Sequence, residues 1–239
     1  MAQTGEIKVE VLHRDDDLVA VDKPPGMPVI PARDEPAADS LRHRLQSALG
    51  EPLWVVHRID RDASGLVVMA RTPQAHRALS LAFEERRVDK RYVAFAAGPL
   101  PDAGTIDVPL HSARKGKSRP ARPGEPGAKL ASTDYAVVRR WRRGAEVVAQ
   151  VDARPQTGRL HQIRVHLRYA GAPIVADPLY GSRTLAGELA GSPCRRLALH
   201  AHHLVLPRPG GGELVLEAPL AADLVALVDW LDEHWEVAA

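Results

Sequence analysis

The segment TGRLHQIRVHLRYAGAPIVADPLYG, at residues 157–181, joins a predicted helix to a loop with apolar and acidic residues. Its spacing of apolar and polar residues predicts a helix over residues 160–170 that ends at Gly171, since glycine commonly follows the last helical turn. Three side chains share one side of this helix: His161, Arg164 and Arg168. Arg164 is then either the counter-ion of a partly buried carboxylate or an exposed arginine on a solvent-facing helix.

A second segment, VVHRIDRDASGLVVMA at residues 55–70, predicts two apolar strands joined by a polar loop. Asp60 falls where the first strand enters that loop, beside the core. A carboxylate in such a place is unfavourable unless it is paired or hydrogen-bonded. The position therefore indicates either a functional carboxylate or a turn-forming aspartate whose side chain accepts hydrogen bonds from backbone amides.

The other segments alternate between strand and helix patterns. Strands are predicted within residues 7–22 and over residues 53–58, 65–70, 91–98, 132–151, 196–206 and 213–218. Helices are predicted over residues 37–49, from Thr72-Pro73 to about Arg86, and from Pro219 onward. This mixture predicts an α+β fold, with a largely antiparallel mixed sheet flanked by helices. Because no shift in composition marks a boundary, residues 1–239 are expected to form a single domain.

The composition is that of a globular chain, with 239 residues, 45% hydrophobic residues and a net charge of +2. A single cysteine, Cys194, excludes an intrachain disulfide and a multi-cysteine zinc site. The N-terminus lacks the apolar core of a signal peptide, and no apolar run reaches the length of a membrane-spanning helix. These features favour a soluble, cytoplasmic protein.

Common cofactor and hydrolase fingerprints are absent from the sequence. It contains no GxxxxGK[ST], GxGxxG, HExxH or GxSxG pattern, so no nucleotide cofactor is predicted. His200 and His202 would face the same way on a strand, beside His203, in an arrangement able to ligate a metal. Hydrogen-bonded structural histidines are the favoured alternative, because no Cys, Asp or Glu with ligand spacing accompanies them.

Two basic stretches indicate a polyanionic partner. Residues 111–129 combine Lys and Arg with Pro and Gly, which predicts a mobile basic loop, and residues 139–143 read RRWRR. The candidate phosphate contacts are Arg114, Lys115, Lys117, Arg119, Arg139 and Arg140. Cationic side chains neutralise phosphates and aromatic rings stack on bases. A solvated hairpin is the alternative explanation of these charges.

Five segments, in the same order, resemble the motifs of the RluA family of pseudouridine synthases. HRIDRDASGLVVMAR at residues 57–71 resembles HRLDxxTSGLLLxAK, and residues 157–181 resemble TGRxHQIRxHxxxxGxPIxGDxxYG. The other three segments are VDKPPGMPVIP at 21–31, KRYVA at 90–94 and LALHAHHLVL at 197–206. Together the motifs span about residues 16–219. The sequence departs from them at Ala63, Ala176 and Ile30, none of which is the position of the catalytic aspartate.

The resemblance implies the pseudouridine synthase fold, with a catalytic cleft across the sheet, and an isomerase that acts on uridine within RNA. It implies that Asp60 is the catalytic residue and that Arg164 pairs with it, which favours the ionised carboxylate. It also implies that the ring of Tyr92 stacks on the uracil, with the phenol close to C5. Three residues are assigned to substrate binding: Arg58, Ile163 and His161.

The resemblance further implies a structured RNA partner, a stem-loop of ribosomal RNA or tRNA from which the uridine is extruded. In extent the chain resembles the short members RluA and TruC, which lack the N-terminal RNA-binding domain of many relatives. A monomer without metal, nucleotide cofactor or membrane association is expected. The alternatives are a non-catalytic RNA-binding protein or chaperone on the same fold, and a metal-dependent hydrolase that uses the histidines near residue 200.

Overall fold

The computed structural model describes residues 9–31, 36–113, 116–181, 189, 191–208 and 211–238. The chain forms two compact units, Met1–Asp89 with Ala201–Pro219 and Lys90–His200 with Leu220–Ala239. The described residues confirm the predicted α+β class, with mainly antiparallel strands and several helices. None of the described helices is both long and apolar enough to cross a membrane.

The helices and strands follow one another along the chain without a repeat. In chain order they are β1 (Glu10–Arg14), β2 (Leu18–Lys23), α1 (Leu41–Leu49), β3 (Trp54–Val55), β4 (Ser64–Ala70), α2 (Pro73–Glu84), β5 (Asp89–Ala97), β6 (Ala103–Asp107), β7 (Leu110–Ala113), β8 (Lys117–Pro120), β9 (Ser132–Arg143), β10 (Glu146–Pro155), α3 (Gln162–Tyr169), β11 (Leu199–Pro207), β12 (Glu213–Glu217), α4 (Ala222–His234) and β13 (Glu236–Ala238). A short 3-10 turn, Ala37–Asp39, precedes α1.

The first unit is built around two buried strands, β2 and β4. Its strands lie in the order β1-β2-β4-β11, with β3 added to β4 and β12 to β11. The apolar run GLVVMA explains why β4 is buried along its whole length, since a strand covered on both faces carries apolar residues at every position. Val21 lies opposite Val67 in the antiparallel register between β2 and β4.

Gly65, the second residue of β4, lets two backbones approach closely. Its φ is +108°, a region that side chains rarely adopt, and a Cβ there would meet the backbone carbonyl of Ala201. The small residue is therefore required at the point where β4 passes β11, directly after the loop that carries Asp60.

Local signals in the sequence set the ends of the helices in the first unit. The side chain of Ser40 accepts a hydrogen bond from the backbone N–H of His43, and Gly50 ends α1 in the left-handed conformation. Thr72 accepts from the N–H of Ala75, and Pro73 opens α2 as predicted, although α2 ends at Glu84.

The second unit is a sheet in the order β5-β10-β9-β13, with β6 paired to β9. The long hairpin β9–β10 turns at Gly144 and Ala145, which confirms the hairpin predicted over residues 132–151. Trp141 on β9 is fully buried and its ring lies 6.3 Å from that of Phe95 on β5, measured between centroids. α3 packs on β9 and β10, so these strands support the helix that carries Arg164.

Several predicted elements differ in extent from the observed ones. The helices predicted from residue 37 and from Pro219 begin at Leu41 and Ala222. The strand predicted at residues 53–58 is only Trp54–Val55, because the polar loop begins immediately afterwards. The predicted mobile loop at 111–129 contains the hairpin β7–β8. The helix predicted at 160–170 begins at Gln162, because His161 adopts a left-handed backbone with φ of 55°.

Candidate active site

Lys23 joins the loop that carries Asp60 to the loop at residues 24–27. Its side chain is fully buried, and Nζ donates to the carbonyl oxygens of Pro24, Met27 and Arg61 at 2.8, 2.9 and 2.9 Å. An ammonium group has three N–H donors, and each of them has one of these three carbonyl acceptors. The backbone that follows Asp60 is therefore held to the 24–27 loop.

Further hydrogen bonds fix the same loop. The N–H of Gly26 donates to the carbonyl of Arg61 at 2.9 Å, and Nε of Arg61 donates back to the carbonyl of Gly26 at 2.9 Å. The backbone carbonyl of Asp60 accepts from the N–H of Ala63 at 3.2 Å. Asp60 itself is half-buried, and Arg58 is exposed. The geometry presents a partly accessible carboxylate on a rigid turn.

The entry to this turn is fixed by His57. Its Nε2 accepts a hydrogen bond from the N–H of Val68 at 2.9 Å, and its ring stacks on Phe83 with the centroids 4.6 Å apart. These contacts attach the start of the loop to β4 and α2. The loop is thus held at both of its ends.

Replacing Lys23 with methionine is expected to lower the free energy of unfolding by about 1–3 kcal/mol, because buried carbonyls lose their donor while the apolar stem is kept. Urea denaturation followed by circular dichroism measures the change. Lys117→Met, on an exposed side chain of β8, is the matched control and should stay close to wild type. Equal stability of the two variants would contradict the role of the Lys23 ammonium.

Arg164 in the second unit forms a buried, two-pronged ion pair with Asp177. Nε and Nη2 donate to the two carboxylate oxygens at 2.8 and 2.7 Å, and the two side chains are 3% and 0% exposed. Oδ1 of Asp177 also accepts from the backbone N–H of Leu179 and Tyr180. The arginine therefore has a carboxylate partner within its own unit. Asp60 belongs to the other unit, so the pairing of Arg164 with Asp60 stays a prediction.

Tyr180 extends the contacts of this ion pair toward His161. The guanidinium carbon of Arg164 lies 5.1 Å from the centre of the Tyr180 ring. The Tyr180 hydroxyl accepts from the backbone N–H of Ser118 at 2.8 Å and lies 2.9 Å from Nδ1 of His161. The orientation of His161 is therefore set by Tyr180, a residue that sequence reasoning missed.

The sequence carried a signal for Asp177 and Tyr180. Both belong to the segment at 157–181, and Asp177 is its acidic residue, so it was available as a partner for Arg164. Helical spacing did not identify Asp177 or Tyr180 as contacts of Arg164, because both residues lie in the loop beyond the end of α3.

Tyr92 lies on β5, opposite Ala153 of β10, and is half-buried. Ile163 is buried on α3, one position before Arg164. The structure thus places Tyr92, His161, Ile163 and Arg164 in the second unit, and Arg58 and Asp60 in the first. Their assigned roles stay predictions.

Gln162 and His166 fix α3 to β9 through Thr133. Nε2 of Gln162 donates to the Thr133 hydroxyl at 2.9 Å, and that hydroxyl lies 2.9 Å from Nδ1 of His166. Nε2 of His166 lies 2.9 Å from the carbonyl of Val108, an acceptor that requires the proton on Nε2. Burial lowers the pKa of His166, because charging the ring would bring an ion into the core.

We expect the free energy of unfolding to fall as the pH drops below about 6.5, the ordinary histidine value. The unfolded chain binds a proton at His166 that the folded chain does not bind until a lower pH, so acid favours unfolding, with a slope of at most about 1.4 kcal/mol per pH unit. Urea titrations at several pH values measure this slope. His166→Gln should flatten it, and an unchanged slope in that variant would contradict the assignment.

Several candidate phosphate contacts already have carboxylate partners. Arg119 donates to Glu125 at 2.8 Å and through a second short hydrogen bond, and this guanidinium lowers the pKa of Glu125 to about 2. Arg139 contacts Asp232 at 2.6 Å. Arg140 contacts the exposed Asp102 at 2.5 Å. Lys117 is exposed, whereas Arg114 and Lys115 lie outside the described residues. The positive charge of these stretches is therefore partly neutralised within the chain.

The histidines near residue 200 do not form a metal cluster in the part of the chain that the structure describes. Within the described ranges, no group of three or more His, Cys, Asp or Glu side chains has the geometry to hold a metal ion. Nδ1 of His203 instead lies 3.3 Å from a carboxylate oxygen of Glu217 on the paired strand β12.

Known proteins resemble the chain over nearly its whole length. The RNA pseudouridylate synthase family matches residues 17–169. Ribosomal large subunit pseudouridine synthase D of Pseudomonas aeruginosa is 34% identical over 245 residues, covering 97% of this chain and 74% of that protein. The protein of the same name from Xanthomonas campestris pv. campestris is 36% identical over 252 residues, covering 100% and 74%. The solved structure of human RNA pseudouridylate synthase domain containing 4 has a TM-score of 0.75 and 29% identity, covering 96% of this chain and 94% of that one.

These matches span both compact units and include the segments that carry Asp60, Tyr92 and Arg164. They confirm the resemblance to the RluA family and do not favour the alternative of a non-catalytic RNA-binding protein. The chain therefore belongs to the RNA pseudouridylate synthase family and is an RNA pseudouridine synthase, an isomerase.

Proposed function

We propose that this enzyme isomerises specific uridines in structured ribosomal RNA, with Asp60 as its catalytic carboxylate. The observation that carries the proposal is the family match over residues 17–169, which includes the positions of Asp60, Tyr92 and Arg164. The choice of ribosomal RNA is supported by the relatives from Pseudomonas aeruginosa and Xanthomonas campestris, both named for the large ribosomal subunit.

The proposed reaction breaks one bond to the sugar and forms another. The N1–C1′ bond of the uridine breaks, the uracil turns over, and C5 bonds to C1′. C5 loses its proton and N1 ends with one, so no oxidant, reductant or group carrier is consumed. An ionised Asp60 serves this reaction either by attacking C1′ or by abstracting a sugar proton, as carboxylates do in glycoside cleavage. The rigid turn around Lys23 and Arg61 supports such a role, because a fixed carboxylate needs little reorganisation.

The neighbouring roles follow from side-chain chemistry. For Tyr92 we propose stacking on the uracil and handling of the C5 proton. For Arg164 we propose stabilisation of the negative charge of Asp60. Ile163 packs against the base, His161 contacts the substrate, and Arg58 occupies the space that the extruded uridine leaves.

The RNA contributes binding energy through its phosphates. Extruding a base from a stem-loop costs a few kcal/mol, which phosphate contacts offset. We propose Arg114, Lys115 and Lys117 as contacts. Arg119, Arg139 and Arg140 would add to them only where a phosphate competes with the bound carboxylate. The enzyme is proposed to act on its RNA as a monomer, as a single catalytic domain in the cytoplasm, without a cofactor.

RNA labelled with tritium at uridine C5 tests the proposal. Transcripts of large-subunit ribosomal RNA should release tritium when mixed with the purified chain, because C5 loses its hydrogen during re-attachment. Transcripts of tRNA serve as the comparison, and small-subunit transcripts as the control. Release from tRNA alone would contradict the choice of ribosomal RNA, and no release from any RNA would contradict the proposed activity.

A further inference from the structure

Two large apolar side chains of the second unit face solvent close to the start of α3. Leu130 is 72% exposed and Leu160 is 46% exposed. Single exposed leucines are ordinary, but these two lie on segments joined by a hydrogen bond, from Nε of Arg159 to the carbonyl of Leu130 at 3.0 Å. The two exposed leucines therefore lie on neighbouring segments of the surface.

The backbone beneath these leucines is fixed. The N–H of Gln156 donates to the carbonyl of Ser132 at 3.0 Å, and the N–H of Ser132 donates to the hydroxyl of Thr157 at 3.3 Å. The side-chain oxygen of Gln162 accepts from the N–H of Arg159 at 3.0 Å. A surface held in this way loses little conformational entropy when a ligand binds. The exposed leucines are therefore already held in place before a ligand binds.

The flanking groups are cationic and accessible. Lys129 is exposed, and the terminal nitrogens of Arg159 make no hydrogen bond with the described residues. No atom lies within 4 Å of the place where a Cβ of Gly158 would stand, so the turn opens to solvent. Apolar contacts beside unneutralised cations match single-stranded RNA, whose bases have apolar faces and whose backbone is anionic.

We propose that Leu130 and Leu160 contact unpaired nucleobases next to the target uridine, while Lys129 and Arg159 bind their phosphates. The position favours this partner, because Leu160 directly precedes His161, which is proposed to contact the substrate. The inference rests on the proposed function, and it adds a surface that reads the unpaired state of the RNA around the target.

The test compares a double variant, Leu130→Ser with Leu160→Ser, with the control Leu81→Ser. Leu81 lies on α2 in the first unit and is also 46% exposed. The probes are a fluorescein-labelled RNA hairpin with an unpaired loop and a fully paired RNA duplex of the same length, measured by fluorescence anisotropy. We expect the double variant to weaken hairpin binding about tenfold, which corresponds to about 1.4 kcal/mol. Duplex binding by the double variant and hairpin binding by Leu81→Ser should equal those of wild type.

A charge variant separates the two parts of the surface. Lys129→Gln should weaken hairpin and duplex binding alike and reduce the slope of log affinity against log salt by about 1. Unchanged hairpin affinity in the double serine variant would overturn the inference. An equal loss of duplex affinity in that variant would also overturn it. The inference would be overturned as well if the double variant lost only self-association and bound RNA as the wild type does, because the leucines would then contact a second copy of the chain. Absence of tritium release by the wild type would instead contradict the proposed function, which these binding measurements do not use.

Discussion

Replacing Asp60 with alanine is expected to reduce tritium release from C5-labelled RNA by a factor of about 10² to 10⁴, the contribution typical of a positioned catalytic side chain. The carboxylate is proposed to act directly at the sugar, so its removal should slow the chemical step itself. The measurement is the initial rate at saturating RNA, which separates a loss of chemistry from a loss of binding.

The turn itself supplies the controls for this experiment. Asp60→Asn keeps the size of the side chain and removes its charge, so it should be as inactive as the alanine variant. Asp62→Asn changes a half-buried carboxylate two residues further along and should retain activity. All three variants should unfold at the urea concentration of the wild type, because the turn is held by Lys23, Gly26 and Arg61. Undiminished release by Asp60→Ala would show that another residue is catalytic.

Much of the fold was predictable because its signals are local. Thr72 and Pro73 mark the start of α2 through a side-chain cap and a preset backbone angle, and both act within one helical turn. The hairpin β9–β10 follows from apolar alternation on both sides of Gly144. Such features depend on residues a few positions apart, so a single sequence contains them in full.

Other features depend on residues that meet only in the folded chain. Arg139 pairs with Asp232, and Lys23 donates to the carbonyl of Arg61, across long stretches of sequence. No periodicity marks these pairs. The charge of the RRWRR stretch was therefore overestimated from sequence, because the carboxylates that neutralise part of it lie elsewhere. The left-handed backbone of His161 was equally unpredictable, since no local pattern marks it and its ring contacts Tyr180, 19 residues further along the chain.

The proposed functional residues of the candidate site could be predicted from the sequence, but the buried residues that hold their segments in place could not. The motif resemblance named Asp60 and Arg164, but the groups that fix their segments are Lys23 and Asp177, each buried and each matched to several partners. Both supports use a buried charge with its hydrogen bonds satisfied, which is costly to build and specific in geometry. We infer that rigidity of the two segments is the property that these buried charges supply.

Breaking the Arg164–Asp177 pair is expected to lower the free energy of unfolding by about 3–5 kcal/mol, because Asp177→Ala removes the two-pronged carboxylate partner of a buried guanidinium. The side chains are 3% and 0% exposed, so water cannot replace the carboxylate without opening the structure. Asp177→Ala also removes the acceptor of the Leu179 and Tyr180 amides. Urea denaturation followed by circular dichroism measures the loss.

The double variant Arg164→Met with Asp177→Leu tests whether the loss of stability comes from the unbalanced charge or from lost packing. Apolar side chains of similar size should recover much of the stability that Asp177→Ala loses, since a buried ion pair and a packed apolar pair are often close in free energy. The double variant should nevertheless release no tritium, because Arg164 is proposed to act on the charge of Asp60. Recovery of both stability and activity would show that Arg164 serves packing alone. A loss below about 1 kcal/mol in Asp177→Ala would show that the pair contributes little to the fold.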